Sequence, residues 1–398
     1  MKKFVSLFFF LCLALTLTSC FSGNTITKQQ NNDDDKVLTS HVNPTFSRGA
    51  WVATVWGIDF PSNPTTDDTT LKTELDTLVT KAVGMGLDAL FFQVRPTADA
   101  LYNSVHFPWS RHLTGKQGLV PKNNFDPLEH IIDKCHTNGI QLHAWINPYR
   151  ITVLTTDVLT AEHPATLIPW ITMNVGGKKF FNPGEFVARE LIVEGVREIV
   201  ENYNVDGIHF DDYFYPEGIT DQDAFTFAGK WTGPDKLDDW RRWNVDQLVR
   251  QTKQVIHETA PNVVFGISPS GIWANKSNNP QGSDTRGFES YNAIYADSRG
   301  WVKNGWVDYI VPQIYWKIGQ PGSDFATVLN WWHDVCAGTD VALYAGLAGH
   351  KVTDGTFTPA EILDQINLAS QLADGVVVFS LKDLLRLIYI YKATPDIS

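Results

Sequence analysis

Cysteine and clustered positive charge are both scarce in this chain. There are 4 cysteines in 398 residues, and two of them, Cys12 and Cys20, lie close to the N-terminus. The others, Cys135 and Cys336, fall on the apolar stripes of expected helices, so buried free thiols are expected rather than a disulfide framework. No Cys-x-x-Cys pair or short-spaced His/Cys cluster occurs, and no metal site is expected. The net charge of −12 argues against a nucleic-acid partner, because phosphate binding needs clustered Lys and Arg. Phosphate-cradling glycine loops, a dinucleotide fingerprint and a serine nucleophile elbow are also missing. No cofactor is expected.

One apolar run, Phe4–Leu17, follows Met1-Lys2-Lys3 and is too short to cross a membrane in the ordinary way. It ends in Leu17-Thr18-Ser19-Cys20, which resembles a bacterial lipobox. The resemblance implies a signal peptide over residues 1–19, cleavage before Cys20 and lipidation of its thiol. Residues 20–45 are polar, with Gln, Asn and Asp runs, and read as a disordered tether. The expected location is the bacterial cell envelope, on the outer membrane or cell surface, with the lipid on Cys20 holding the chain to the membrane.

Residues 46–398 alternate short apolar runs with amphipathic helices. Strands are expected at Ala50–Trp56, Ala89–Arg95, Gln141–Asn147, the stretch opening at Val205, Val263–Ser268, Val307–Tyr315, Val341–Leu347 and Gly375–Phe379. Helices are expected between them, including Tyr291–Asn304, and a last one over Lys382–Tyr391 closes the chain. Eight such units require a parallel sheet, and the α/β class that fits is a (β/α)8 TIM barrel with long loops after strands 2, 3 and 4. Trp170–Asn174 and Lys178–Phe181, joined at Gly176-Gly177, read as a hairpin within the second of those loops.

Alternation along a strand sends neighbours to opposite faces. In strand 2, Leu90, Phe92 and Val94 face the helices, leaving Phe91, Gln93 and Arg95 to the lumen. By the same rule the lumen receives His143, Trp145 and Asn147, then His209 and Asp211, then Gly266 and Ser268, with Ser270 beyond the strand, and finally Gln313 and Tyr315. A lumen that turns polar and aromatic towards the C-terminal strand ends is a pocket at the end where these barrels carry their sites.

Acidic groups are the chemical workers available to that pocket. Asp211 exits the fourth strand into the lumen, where it can attack or stabilise an oxocarbenium-like centre; Asp212, one residue on, can act as general acid/base or merely pair with an Arg. Asp59, Asp99 and Glu185, on loops at the same end, are further candidates for a partner carboxylate. Amides and aromatic rings suit sugar hydroxyls and ring faces, so a polysaccharide is the expected partner.

Several motifs recur as a set: Arg48-Gly49-Ala50-Trp51, Phe92-Gln93-Val94-Arg95-Pro96, Ala144-Trp145-Ile146-Asn147-Pro148-Tyr149-Arg150, Val205–Pro216, Gly266-Ile267-Ser268-Pro269-Ser270-Gly271 and Asp308–Trp316. Together they resemble the glycosyl-hydrolase-like family 10 lipoproteins, close to bacterial envelope enzymes that digest denuded peptidoglycan strands. The resemblance implies a TIM-barrel glycosidase acting on cell-wall or related polysaccharide, centred on Asp211 and Asp212. Gln93, Arg95, His143, Asn147, His209, Ser268, Gln313 and Tyr315 are then expected to bind sugar, with Trp145, Tyr213 and Trp316 as walls or stacking surfaces. Arg95 is expected to meet the lactyl carboxylate of muramic acid. Tyr213 stands where the similar chitinase-type strand carries its acid glutamate, which leaves the acid of this chain open. Two other readings stay open: a non-catalytic glycan-binding lipoprotein, and a hydrolase of a non-wall glucan or galactan.

Overall fold

A computed structural model describes residues 42–384. The signal segment, Cys20, most of the expected tether and most of the helix expected over Lys382–Tyr391 lie outside the described residues. Eight strands form the barrel: β1 (Arg48–Val52), β2 (Ala89–Arg95), β3 (Gln141–Ile146), β6 (Gly207–Phe210), β7 (Val264–Ile267), β8 (Tyr309–Ile310), β9 (Ala342–Ala348) and β10 (Gly375–Phe379). They pair in the order β1-β10-β9-β8-β7-β6-β3-β2 and close on themselves, every pair parallel. The fold is therefore the expected (β/α)8 TIM barrel. β4 (Thr172–Val175) and β5 (Lys178–Phe181) form the separate antiparallel hairpin, turning at Gly176 and Gly177 with φ of 57° and 74°.

The helices start where side chains can satisfy their first N–H groups. Asp67 accepts from Thr70 N at the start of α1 (Asp68–Met85), which ends at left-handed Gly86. Asp126 caps α2 (Pro127–Thr137) with two bonds. α3 (Phe186–Asn202) and α4 (Leu237–Thr259) pack beside each other. The helix expected over Tyr291–Asn304 is instead two short pieces, Ser290–Ala293 and α5 (Ser298–Lys303). Tyr295 turns to φ 55° between them, and Asp297 caps the second piece through Gly300 N. α6 (Phe325–Cys336), α7 (Pro359–Leu372) and α8 (Leu381–Leu384) follow, and short helical turns at Arg111–Thr114, Pro164–Leu167, Ala224–Ala228 and His350–Thr353 lie between the main elements. Cys135 and Cys336 are free thiols. Besides the three expected long loops, a fourth spans residues 268–289. Glu289 draws it together by accepting from Asn275 N (2.7 Å), Asn275 Nδ2 (2.8 Å) and Asn278 Nδ2 (3.0 Å).

Two cores follow from the alternation. Leu90, Phe92, Leu142, Ile146, Ile208, Phe210, Phe265 and Ile267 pack outward against the helices. Phe46, Trp51, Phe91, Trp145, Tyr309, Val311, Tyr344 and Val377 fill the lumen. Phe46 enters from the N-terminal end and stacks on Tyr344 with ring centroids 4.1 Å apart. Gly207 and Gly266 make room for the large lumen rings: a Cβ on Gly207 would lie 2.3 Å from His143 Nδ1, and one on Gly266 2.1 Å from the Tyr309 ring.

Gly266→Ala is therefore expected to destabilise the fold by about 1–3 kcal/mol or more through overpacking. Gly84→Ala, in α1 with nothing within 4 Å of the added methyl, should instead gain about 0.5–1 kcal/mol. Urea unfolding of the two variants beside the parent measures both signs.

Candidate active site

Beneath the cavity the lumen is crossed by one chain of hydrogen bonds whose directions can be read from its first donor. The Trp51 indole can only donate, and it gives its N–H to His209 Nε2 at 3.1 Å. His209 must then carry its proton on Nδ1 and donate to Tyr309 Oη, 3.1 Å away. The Tyr309 hydroxyl passes its own proton towards His143 Nδ1 at 2.8 Å, and His143 Nε2 reaches Gln141 Oε1 at 3.4 Å. Both imidazoles are thus neutral, in keeping with burial, which pushes His143 down to about 4 and His209 well below its usual value.

Above this floor a cavity of about 340 Å³ opens at the C-terminal strand ends. Gln93, Trp145, Asp211, Asp212, Tyr213, Ser268, Gln313 and Tyr315, all read as site residues from the sequence, line it together. Asp211 stands just past the end of β6, 2 % exposed. Its Oδ2 accepts from Trp145 Nε1 (3.0 Å) and Asn147 Nδ2 (3.2 Å), and its Oδ1 from Tyr213 N (3.3 Å). Asp212 is half-buried, with Ser270 Oγ 3.4 Å from its Oδ2. Of the sixteen lining residues these two are the only carboxylates.

Desolvation is the larger cause, and the Asp212 charge the second, that pushes Asp211 up to about 7 against its N–H donors and Arg150. Asp212 is raised too, by burial, while bonds from Gln313 and Ser270 and the charge of Arg150 hold it back. The two therefore titrate as a pair that keeps a proton to near neutrality.

Five expected site residues are placed elsewhere. Arg95 does not face the lumen. The β2–β3 register slips between Gln93 and Arg95, so Val94 is an extra residue and the alternation inverts. Its guanidinium lies instead 3.8 Å over the Phe107 ring, against Gly195 of α3. His143 and His209 face the lumen but are wholly buried in the chain of bonds under the floor. Asn147 is also buried, its Oδ1 accepting from Arg150 N and its amide aimed at Asp211; it orients the carboxylate rather than facing the cavity. Trp316 packs with the outer core and against the position of Gly271, beyond the strand where alternation no longer holds.

The other top-face carboxylates are committed to structure. Asp59 ties the exits of β1 and β10 by accepting from Ala53 N (2.8 Å), Ser380 Oγ (2.9 Å) and Lys382 N (2.9 Å), and burial pushes it to about 6. Asp99 accepts from Thr97 Oγ1 and Gln117 Nε2, and Glu185 from Thr226 Oγ1. Among the described residues no three His, Cys, Asp or Glu side chains gather as a metal site.

Sequence reading missed Trp51, Trp56, Arg150 and His350, which also line the cavity. Alternation on β1 would have found Trp51, opposite Ala50 and Val52. Arg150 lies past the end of β3, where only the loop decides direction. Its Nε and Nη2 donate to Pro96 O at 3.1 and 2.8 Å, and its guanidinium sits 4.6 Å over the Tyr213 ring. It is the only Lys or Arg in the cavity lining.

Residues 47–361 match the family described as Glycosyl hydrolase-like 10. The chain belongs to that family. It is 41 % identical over 351 residues to Glycosyl hydrolase YngK of Bacillus subtilis (strain 168), covering 85 % of this chain and 68 % of that protein. Over 366 residues it is 36 % identical to Glycosyl hydrolase DigH of Escherichia coli (strain K12), covering 85 % and 82 %. Among solved structures it resembles the PgaB (BpsB) glycoside hydrolase domain from Bordetella bronchiseptica, with TM-score 0.55, 11 % identity and coverage of 86 % and 99 %. It also resembles the catalytic domain of β-amylase from Paenibacillus polymyxa, with TM-score 0.54, 11 % identity and coverage of 89 % and 100 %. These two likenesses are of fold. In this glycosyl hydrolase-like 10 chain the acidic cavity lies at the C-terminal ends of the barrel strands.

The raised pKa of Asp211 carries a sign for stability. The folded state holds this proton more tightly than the unfolded chain does, so its contribution is full below about pH 4 and is lost as pH rises through about 7. Asp211→Asn removes that loss. Its stability relative to the parent should improve between pH 4 and pH 8 by on the order of 2–4 kcal/mol, read from denaturation curves across that range.

Proposed function

We propose that the protein is a glycoside hydrolase that cleaves within a cell-envelope polysaccharide, namely peptidoglycan glycan strands stripped of their stem peptides. The observation that carries the reading is the adjacent pair Asp211–Asp212, the only carboxylates in a cavity whose lining also holds three indoles, two phenols and two amides. Aromatic faces and amides recognise sugars, and a carboxyl pair that divides acid and base work is the common equipment of glycosidases.

Asp212 is the more exposed of the two and sits beside half-exposed Tyr213 at the mouth; it takes the role of acid. It gives its proton to the glycosidic oxygen as the bond to the anomeric carbon breaks. Burial is the main effect that favours a proton on Asp211; with the proton moved to Asp212 the Coulomb push on Asp211 is gone, and its three N–H donors and the positive charge developing on the sugar favour its anion. Asp211 then stabilises the positive charge that develops on the sugar ring. Water adds to the anomeric carbon and returns a proton to Asp212. Arg150, rather than Arg95, is the cation within reach of a muramic-acid carboxylate. The similarity of the motif set to envelope enzymes that digest denuded strands supports the choice of polysaccharide. Attachment to the membrane through a lipid on Cys20 belongs to the same proposal.

The test is a panel of polysaccharides, with peptide-free glycan strands and a plain glucan and galactan among them, read by product mass. Wild type should release fragments from the glycan strands, and Asp211→Asn and Asp212→Asn should each lose about 100-fold or more in kcat/KM. The alkaline limb of the wild-type profile should fall near pH 7, where the pair loses its last proton. Cleavage that survives in both variants sinks the assignment, and binding without cleavage by wild type makes the protein a glycan-binding module. Separately, Cys20→Ala should move the protein from the membrane fraction to the soluble fraction of a bacterial host.

A further inference from the structure

Trp56 sits in a turn that ought not to hold a tryptophan. Its backbone lies at φ 60°, ψ 12°, in the left-handed region that bulky side chains avoid. More than half of its surface is open (55 % exposed), although it is among the largest apolar side chains in the protein. Strain of this kind persists only where the surroundings over-determine it, and here they do. Thr54 N and Val55 N both donate to Gln93 Oε1 at 3.0 Å, and Ala53 N donates to Asp59 Oδ2 at 2.8 Å. Trp56 N itself donates to His112 Nδ1 at 3.3 Å, and the His112 ring meets the indole edge-on at 5.8 Å. The guanidinium of Arg111, in an ion pair with Asp157, lies 5.7 Å from the indole.

This clamp holds the indole at the cavity, whose lining includes it. The turn follows β1, and β1 is three strands round the ring from β6, which carries Asp211. Trp56 therefore enters the cavity lining from a strand that is not a neighbour of β6, so the indole and the carboxylates reach the cavity from different sides.

We infer that Trp56 is a stacking platform for a pyranose ring of the glycan next to the unit under attack, making the cavity one end of a cleft that binds several sugars in a row. The inference rests on the glycosidase reading for the identity of the ligand. An exposed indole face offers the π surface on which the apolar CH face of a sugar ring packs, and its loss should weaken binding of a long chain roughly 10- to 100-fold. A short chain that reaches only the carboxylates should be weakened less. Trp56 then governs preference for chain length and internal cleavage, and it takes no part in the proton transfers.

The experiment measures binding to the Asp211→Asn protein, which is not expected to turn over its ligand, by calorimetry. The probes are peptide-free glycan strands fractionated into short and long pools. The parent should bind the long pool more tightly than the short one, and Trp56→Ala should abolish most of that difference. Thermal unfolding accompanies each measurement. Trp56→Phe, which keeps a ring on the same turn, should restore most of the preference, whereas a merely structural role would make affinity for both pools follow stability. An unchanged preference in Trp56→Ala, a parent without any preference, or no rescue by Trp56→Phe overturns the inference. The glycosidase reading fails on different grounds, when wild type cleaves none of the polysaccharides.

Discussion

The indole N–H of Trp51 sets the protonation of everything beneath the cavity. Because it can only donate, His209 must accept on Nε2, Tyr309 must relay, and His143 must take what Tyr309 offers. Two titratable histidines are thereby kept neutral at the centre of the barrel. The lumen tolerates them only in this form, since a charged imidazole in that setting would lack solvent, and burial outweighs the pull of Asp206 on His143. The same chain reaches the cavity wall, because Ser268 Oγ stands 2.9 Å from the nitrogen that receives the Trp51 proton.

A neutral floor has an electrostatic consequence for the carboxylates above it. Asp211 and Asp212 receive no compensation from below, so burial raises both of them, and the Asp212 charge adds to the rise of Asp211. Arg150 is the one full positive charge at their level, and it is held by Pro96 O and the Tyr213 ring rather than by a carboxylate. The cavity therefore balances on protons more than on salt bridges. That balance is what lets two identical side chains, one residue apart, divide acid and anion between them.

Most of the barrel was legible because its determinants are periodic. Two-residue alternation sorted Leu90 from Phe91, Leu142 from Trp145 and Phe210 from Asp211, and the structure keeps each on the expected side. Legibility ended where the period was broken. One extra residue in β2 turned Arg95 from the lumen to the helices, and nothing in the local composition announces a bulge. Past the strand ends, Arg150, Trp56 and Trp316 take directions set by partners distant in sequence, such as Pro96 for Arg150 and His112 for Trp56. Alternation also placed His143, His209 and Asn147 on the right face without telling depth, which hydrogen-bond partners alone decide. The helix expected over Tyr291–Asn304 failed for a related reason: an aspartate that could sit mid-helix acts instead as the cap of a second one.

Phe46 decides which end of the barrel is closed. It fills the N-terminal end of the lumen against Tyr344, whose hydroxyl donates to Phe46 O at 2.9 Å, while Val42 N a few residues earlier bonds to Asp308. The chain thus arrives at the stoppered base of the barrel, and the opening lies at the opposite pole. Residues 42–46 thus close one end of the lumen without entering the cavity lining, so what reaches the carboxylates must arrive from the C-terminal strand ends.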